Sequence, residues 1–236
     1  MPDSATLLAF GAHPDDIEFG AGGVIARETA AGRAAHFVVC SRGESSTNGT
    51  PAQRAAEAEK SAALLGATLE FIDLGGDAHF VPSLAHALTI AAIIRRVRPD
   101  MVLAPTLNEN QHADHAILGK LVRNAARLAR YGGVAELRAA PAHAIGALLH
   151  YAITADAEPR DAPPVLVDIS TVVPAWTAAM AAHTSQAATR DYVELQLTRA
   201  RFHGLRAGVA QAIPLWPAEP LVVDSLAPLS RTARRF

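Results

Sequence analysis

Short apolar runs alternate with helix-like stretches four times before residue 106, and this alternation restricts the fold more than any other feature of the chain. Leu7 to Ala12 is apolar and stops at a polar cluster, as a buried strand does. Val24 to Ala31 reads as a helix stopped by Gly32, and His36 to Cys40 as a second strand entering a polar loop from Ser41 to Pro51. Ala52 to Leu65 is a helix closed by Gly66, where a left-handed cap favours glycine. Leu69 to Leu74, Leu88 to Val97 and Met101 to Ala104 follow as strand, helix and strand. Such alternation with short connections predicts a mostly parallel sheet with helices on both faces, a Rossmann-like three-layer α/β sandwich.

From His115 to Arg130 the apolar residues keep helical spacing, with Lys120, Arg123, Asn124 and Arg127 on the other face. Later strands are expected at Ala147–Ile153 and Val165–Ile169, and helices near Thr177–His183 and Asp191–Leu205. No internal repeat or long linker interrupts the pattern, so residues 1–236 read as one domain, with Pro159–Pro164 its expected flexible loop. Half of the residues are hydrophobic and 19% charged, which excludes a disordered chain. A net charge of −2 supplies no field for nucleic acid or anionic lipid, and no apolar run is long enough to span a membrane. With one cysteine, Cys40, there is neither a disulfide nor a cysteine-based zinc knuckle. The first residues lack the basic region of a signal peptide, so a cytoplasmic enzyme is expected.

Ligands of open parallel sheets bind beyond the carboxyl ends of the strands. Three polar clusters fall there: His13-Pro-Asp-Asp16 after the first strand, Arg42-Gly-Glu44 after the second and His112-Ala-Asp-His115 after the fourth. Two carboxylates and an imidazole just past a buried strand are costly unless positive charge sits between them, and a divalent metal supplies it. His13 and Asp16 are three apart, so one turn aims both at one ion and leaves Asp15 free to act as a base. One imidazole from the His112/His115 pair completes a two-histidine, one-carboxylate set with a position open to water, the catalytic kind of zinc site. Gly20-Ala-Gly-Gly23 is not a dinucleotide fingerprint: Ile25 stands where its last glycine belongs, and Asp15 and Asp16 would repel a pyrophosphate. Gly22 and Gly23 instead let the helix pack close to the strand.

Ala12-His-Pro-Asp-Asp-Ile-Glu-Phe-Gly-Ala-Gly-Gly23 and His112-Ala-Asp-His115 resemble the two motifs of the PIG-L/LmbE-like zinc-dependent N-acetylglucosamine deacetylases, with Ala113 where proline is usual. Ser41-Arg-Gly-Glu44, Thr47 to Pro51 with Arg54, Val167 to Ser170, Ser185-Gln186 and Pro220 to Asp224 are similar to the bacillithiol-pathway members, which act on N-acetylglucosaminyl-malate. Ala210 to Trp216 departs, lacking the acidic residue those enzymes carry near the C-terminus. The resemblance implies one Zn²⁺ per chain, other divalent metals being accepted, on His13, Asp16 and His115, with Asp15 as general base. It implies a protonated His112 stabilising the oxyanion, oriented by Asp114, and acetate and a free amine as products.

Arg42, Glu44 and Arg54 are then the expected substrate contacts, and the partners are an amino-sugar conjugate and further copies of the chain, as a trimer or hexamer. Diacetylchitobiose, an antibiotic-pathway sugar, or a metal site without turnover are the alternatives. His183 either lines the pocket or packs a helix. His36, His86, His150, His203 and Cys40 read as structural, and Phe80-Val81 and Leu215-Trp216 as surfaces for self-association or as core.

Overall fold

The computed structural model describes residues 6–109, 112–187, 190–227 and 232; of the first six residues read above, only Thr6 is among them. Seven strands form one sheet in the order β3-β2-β1-β4-β5-β7-β6. They are β1 (Thr6–Gly11), β2 (Ala34–Val39), β3 (Ala67–Phe71), β4 (Met101–Pro105), β5 (Ala147–Tyr151), β6 (Val165–Asp168) and β7 (Ala212–Pro217). The first five pair in parallel, and β7 runs antiparallel between β5 and β6. The helices are α1 (Asp16–Ala30), α2 (Pro51–Leu64), α3 (Leu84–Val97), α4 (Ala113–Arg130), α5 (Val173–Ala181), α6 (Thr184–Ala187) and α7 (Tyr192–Ala207). Among the described residues no helix is long and apolar enough to cross a membrane.

The sheet is buried on both sides, which is why its strands read as unbroken apolar runs rather than alternating ones. On β1, Leu7 and Ala9 pack into the core beneath α1, α5 and α7, while Leu8 and Phe10 pack into the core shared with α3 and α4. The chain leaves β1 toward β2 on one side and returns through α3 to β4 on the other. Strand order therefore reverses between β1 and β4, and the loops after them diverge around a crevice.

Helix α1 begins at Asp16, eight positions before the helix expected at Val24. Its acidic first turn, Asp16 and Glu18, suits the positive end of the helix dipole. The glycines inside it are steric necessities. A Cβ on Gly20 would lie 2.2 Å from the Tyr151 ring, one on Gly22 2.8 Å from Trp176, and one on Gly23 2.8 Å from Ile169 and Ile213. Tyr151 cannot give way, because it is buried and its hydroxyl donates to the Phe10 carbonyl at 2.7 Å.

Other boundaries differ by a few residues: β3 starts at Ala67, α3 at Leu84, α4 at Ala113 and α5 at Val173. Strand β7 was not anticipated. Leu215 and Trp216 are core residues on it, 1% and 4% exposed, so they form no surface for self-association; Phe80 is also buried and only Val81 is open. The loop from β5 toward β6 is held by α7: Arg199 donates to the Ala152 carbonyl and to Glu158, and Gln196 to the Ile153 carbonyl. Glu158 also meets His203 at 3.0 Å, and these partners outweigh burial and lower its pKa from 4.5.

Two measurements check this packing. Gly20→Ala is expected to lower unfolding free energy by about 1–3 kcal/mol in urea, despite alanine's better helix propensity, because it overpacks Tyr151. Gly132, with open space around it, serves as the control and should change little on the same substitution. A carboxylate with a lowered folded-state pKa stabilises above its unfolded value and loses that contribution as pH falls through the folded one. Glu158→Gln is therefore expected to destabilise at neutral pH and to converge on the parent protein as pH falls through the lowered folded-state pKa of Glu158.

Candidate metal centre and active site

The loop leaving β1 places three functional side chains within four residues. Asp16 Oδ2 accepts the backbone N–H groups of Ala12 at 2.8 Å and His13 at 2.9 Å, which locks the carboxylate over the strand end. Its Oδ1 lies 3.1 Å from His115 Nε2, and His13 Nδ1 lies 3.4 Å from Oδ2. One donor atom from each of His13, Asp16 and His115 lies within 4.8 Å of the others, and all three residues are buried. Donors at about 2.0–2.1 Å from a tetrahedral ion stand roughly 3.3 Å apart. The separations, the two-nitrogen, one-oxygen set and the burial of all three residues fit a catalytic zinc-type ion.

Asp15 points elsewhere. Its backbone sits at φ 120°, ψ −26°, a strained conformation for a residue with a side chain. Its carboxylate accepts from Arg54 Nη2 at 3.2 Å, and the same nitrogen donates to the Pro14 carbonyl at 2.8 Å. Burial, then the charge of Asp16, push its pKa up to about 6 against the pull of Arg54, His183 and His13. A carboxyl poised near neutrality suits a general base. Arg54 fits only because position 43 is glycine: a Cβ there would lie 2.0 Å from its guanidinium.

The expected substrate contacts separate. Arg54 lines the cavity, but Arg42 and Glu44 do not. Arg42 lies over the Phe71 ring, 4.7 Å from its centre. The two Glu44 oxygens accept backbone N–H groups, from Arg42 at 2.9 Å and from Asp77 at 3.0 Å. Glu44 thus braces one loop against another, and neither it nor Arg42 lines this cavity.

Asp77, which carries no motif in the sequence, is central. Its Oδ1 lies 3.1 Å from His13 Nε2 and 3.3 Å from His112 Nε2, and these imidazoles hold its pKa well below the usual carboxylate range despite burial. Asp114 was expected to orient His112. Its Oδ2 is instead 3.4 Å from His13 Nε2, accepts the Ala78 N–H at 2.8 Å and stands 4.0 Å from His112 Nδ1, so Asp77 is the nearer carboxylate to His112. The signal that could have found Asp77 is its place after β3, on the same rim as the other clusters. His183 pairs instead with Glu18 at 3.3 Å, both 1% exposed, and the carboxylate outweighs burial in raising its pKa.

These groups open into a cavity of about 500 Å³, walled by Ser45, Thr47, Thr154, Gln186 and Tyr192, with Arg190 exposed at its edge. Polar side chains on the walls and a charged floor are suited to a hydroxylated small molecule and to acid–base chemistry.

Residues 8–126 match the family model for PIG-L, described as GlcNAc-PI de-N-acetylase. A 4-oxalmesaconate hydratase of Pseudomonas putida is 31% identical over 140 residues, a stretch spanning about half the length of each protein. Three solved structures share the fold. A conserved protein of Thermus thermophilus is 30% identical, with TM-score 0.83 over 97% of this chain and 100% of that one. The 4-carboxy-2-hydroxymuconate hydratase of P. putida is 26% identical, with TM-score 0.80 over 94% and 100%. The N,N'-diacetylchitobiose deacetylase of Pyrococcus horikoshii is 23% identical, with TM-score 0.78 over 91% and 84%. The family match, covering half of the chain and both histidine–aspartate clusters, together with the Thermus structure, shows that this chain belongs to the PIG-L family.

Proposed function

We propose that the chain is a metal-dependent hydrolase that removes the N-acetyl group of an N-acetylglucosamine conjugate, with N-acetylglucosaminyl-malate as the preferred substrate. The observation that carries this is the buried His13, Asp16 and His115 set beside a separate carboxylate, Asp15, at the floor of a polar cavity. A divalent ion held by that set supplies Lewis acidity toward the amide carbonyl and acidifies water. Asp15, fixed by Arg54, takes the proton of the attacking water. His112, next to Asp77 and 35% exposed in its side chain, faces the same space and steadies the charge on the carbonyl oxygen by donating a hydrogen bond to it. The water oxygen joins the acyl carbon, the C–N bond breaks, and the nitrogen receives the proton that Asp15 or His112 returns. Arg190 at the cavity edge is the cation suited to a carboxylate-bearing aglycone. Exposed Phe202 and Leu205 on α7 support self-association in place of Leu215 and Trp216.

A second reading is favoured by the hydratase relatives, which are as similar in sequence as the deacetylase neighbour or more so. Addition of water to an activated double bond uses the same ion, base and acid. Acetate release from N-acetylglucosaminyl-malate, N-acetylglucosamine and diacetylchitobiose, run beside loss of ultraviolet absorbance of an unsaturated polycarboxylate, separates the two. Turnover of the malate conjugate supports our proposal, and turnover of the unsaturated acid alone overturns it.

Two variants test the roles. His13→Ala is expected to lose the tightly bound ion and the activity together, as read by metal analysis after dialysis. Asp15→Asn is expected to keep the ion while kcat falls by about 10²–10⁴-fold. Near-full activity in that variant would remove Asp15 from the mechanism.

A further inference from the structure

We propose that Asp77, His112 and Asp114 form a second divalent-cation site beside the first, filled only at excess metal, and that an ion there withdraws His112 from proton transfer. This rests on the reading that His13, Asp16 and His115 hold the first ion. The two donor sets lie on different sides of one ring: His13 turns Nδ1 toward Asp16 and Nε2 toward Asp77 and Asp114. Asp77, His112 and Asp114, together with His13, offer donor atoms that all lie within 4.8 Å of one another. Asp77 Oδ1 and His112 Nε2 are 3.3 Å apart, the edge length of a tetrahedron around a zinc-sized ion. His13 Nε2 remains a hydrogen-bonding neighbour of the two carboxylates, each of which has a second oxygen.

Charge gives an independent reason. Asp15, Asp16, Asp77 and Asp114 converge on one rim of the sheet. Arg54 answers one of these charges and a divalent ion on the first set answers two, which leaves one for another cation. His112 has the most exposed side chain of the group, so an ion from the cavity meets it first and seats against Asp77 behind it. Mixed carboxylate and imidazole donors accept zinc, cobalt or manganese.

The test is equilibrium dialysis of the full chain, stripped by chelator, against rising Co²⁺, with bound metal and visible absorbance read together. One ion per chain is expected to bind first, and a second at concentrations at least about 10-fold higher, with its own absorbance phase. Asp77→Asn and His112→Gln are each expected to keep the first ion and lose the second. Thermal melts confirm folding, and His112→Gln decides if the buried Asp77 variant does not fold. Saturation at one ion overturns the second site, as does a second ion that persists in the folded variants. Binding of no ion at all overturns instead the reading of His13, Asp16 and His115.

Discussion

Asp16 joins the two halves of the sheet. One of its oxygens is fixed by the N–H groups that end β1, and the other faces His115 at the start of α4, across the point where strand order reverses. A buried carboxylate so placed needs donors on every side. Here they are two imidazoles and two backbone amides, and the imidazoles, His115 before His13, outweigh burial and hold its pKa well below the usual range. Because the amides belong to the strand end, the carboxylate moves only if the strand does. The rest of the site is arranged from that fixed point: His13 by its neighbour in the turn, His115 by the opposing loop, and Asp15 by being turned away.

A second layer holds these groups in place. Asp114 sits behind His13, and Glu44 ties the loop after β2 to Asp77. Trp176 donates from its indole to the Glu18 carbonyl at 2.7 Å and fits against Gly22, so α5 fixes the first turns of α1 from the far side. The glycines of the motif therefore serve the helix behind the site as much as the site itself. Rigidity of this kind allows groups on five different loops and helix ends to keep hydrogen-bonding distances.

The parallel half of the fold was legible because each strand is buried on both faces and so appears as a continuous apolar run. The cluster of His13, Asp16 and His115 that could hold a metal was legible because its residues are local in sequence, within His13–Asp16 and His112–His115. Strand β7 was not, since Pro214 and Pro217 argue against an inner strand, yet burial of Ile213, Leu215 and Trp216 outweighs the missing N–H groups. The start of α1 was hidden because two adjacent aspartates look like a turn, although acidic residues belong at a helix N-terminus. Asp77 was hidden for another reason: a lone aspartate after two glycines has no local pattern, and its meaning comes only from which loops the sheet brings together. Glu44 and Arg42 lie outside the cavity lining, and polarity near a site does not say which way a side chain turns.

The backbone at Asp15 has a longer consequence. A φ of 120° is a conformation that glycine adopts without strain and aspartate does not. Backbone strain and the side-chain contact to Arg54 thus make opposing demands on one position. A descendant relieved of the reaction would gain by exchanging this residue for glycine while leaving the rest of the loop intact. That exchange would also cut the bond by which Arg54 on α2 holds the turn after β1, so the side chain that strains the backbone is the one that joins these two elements.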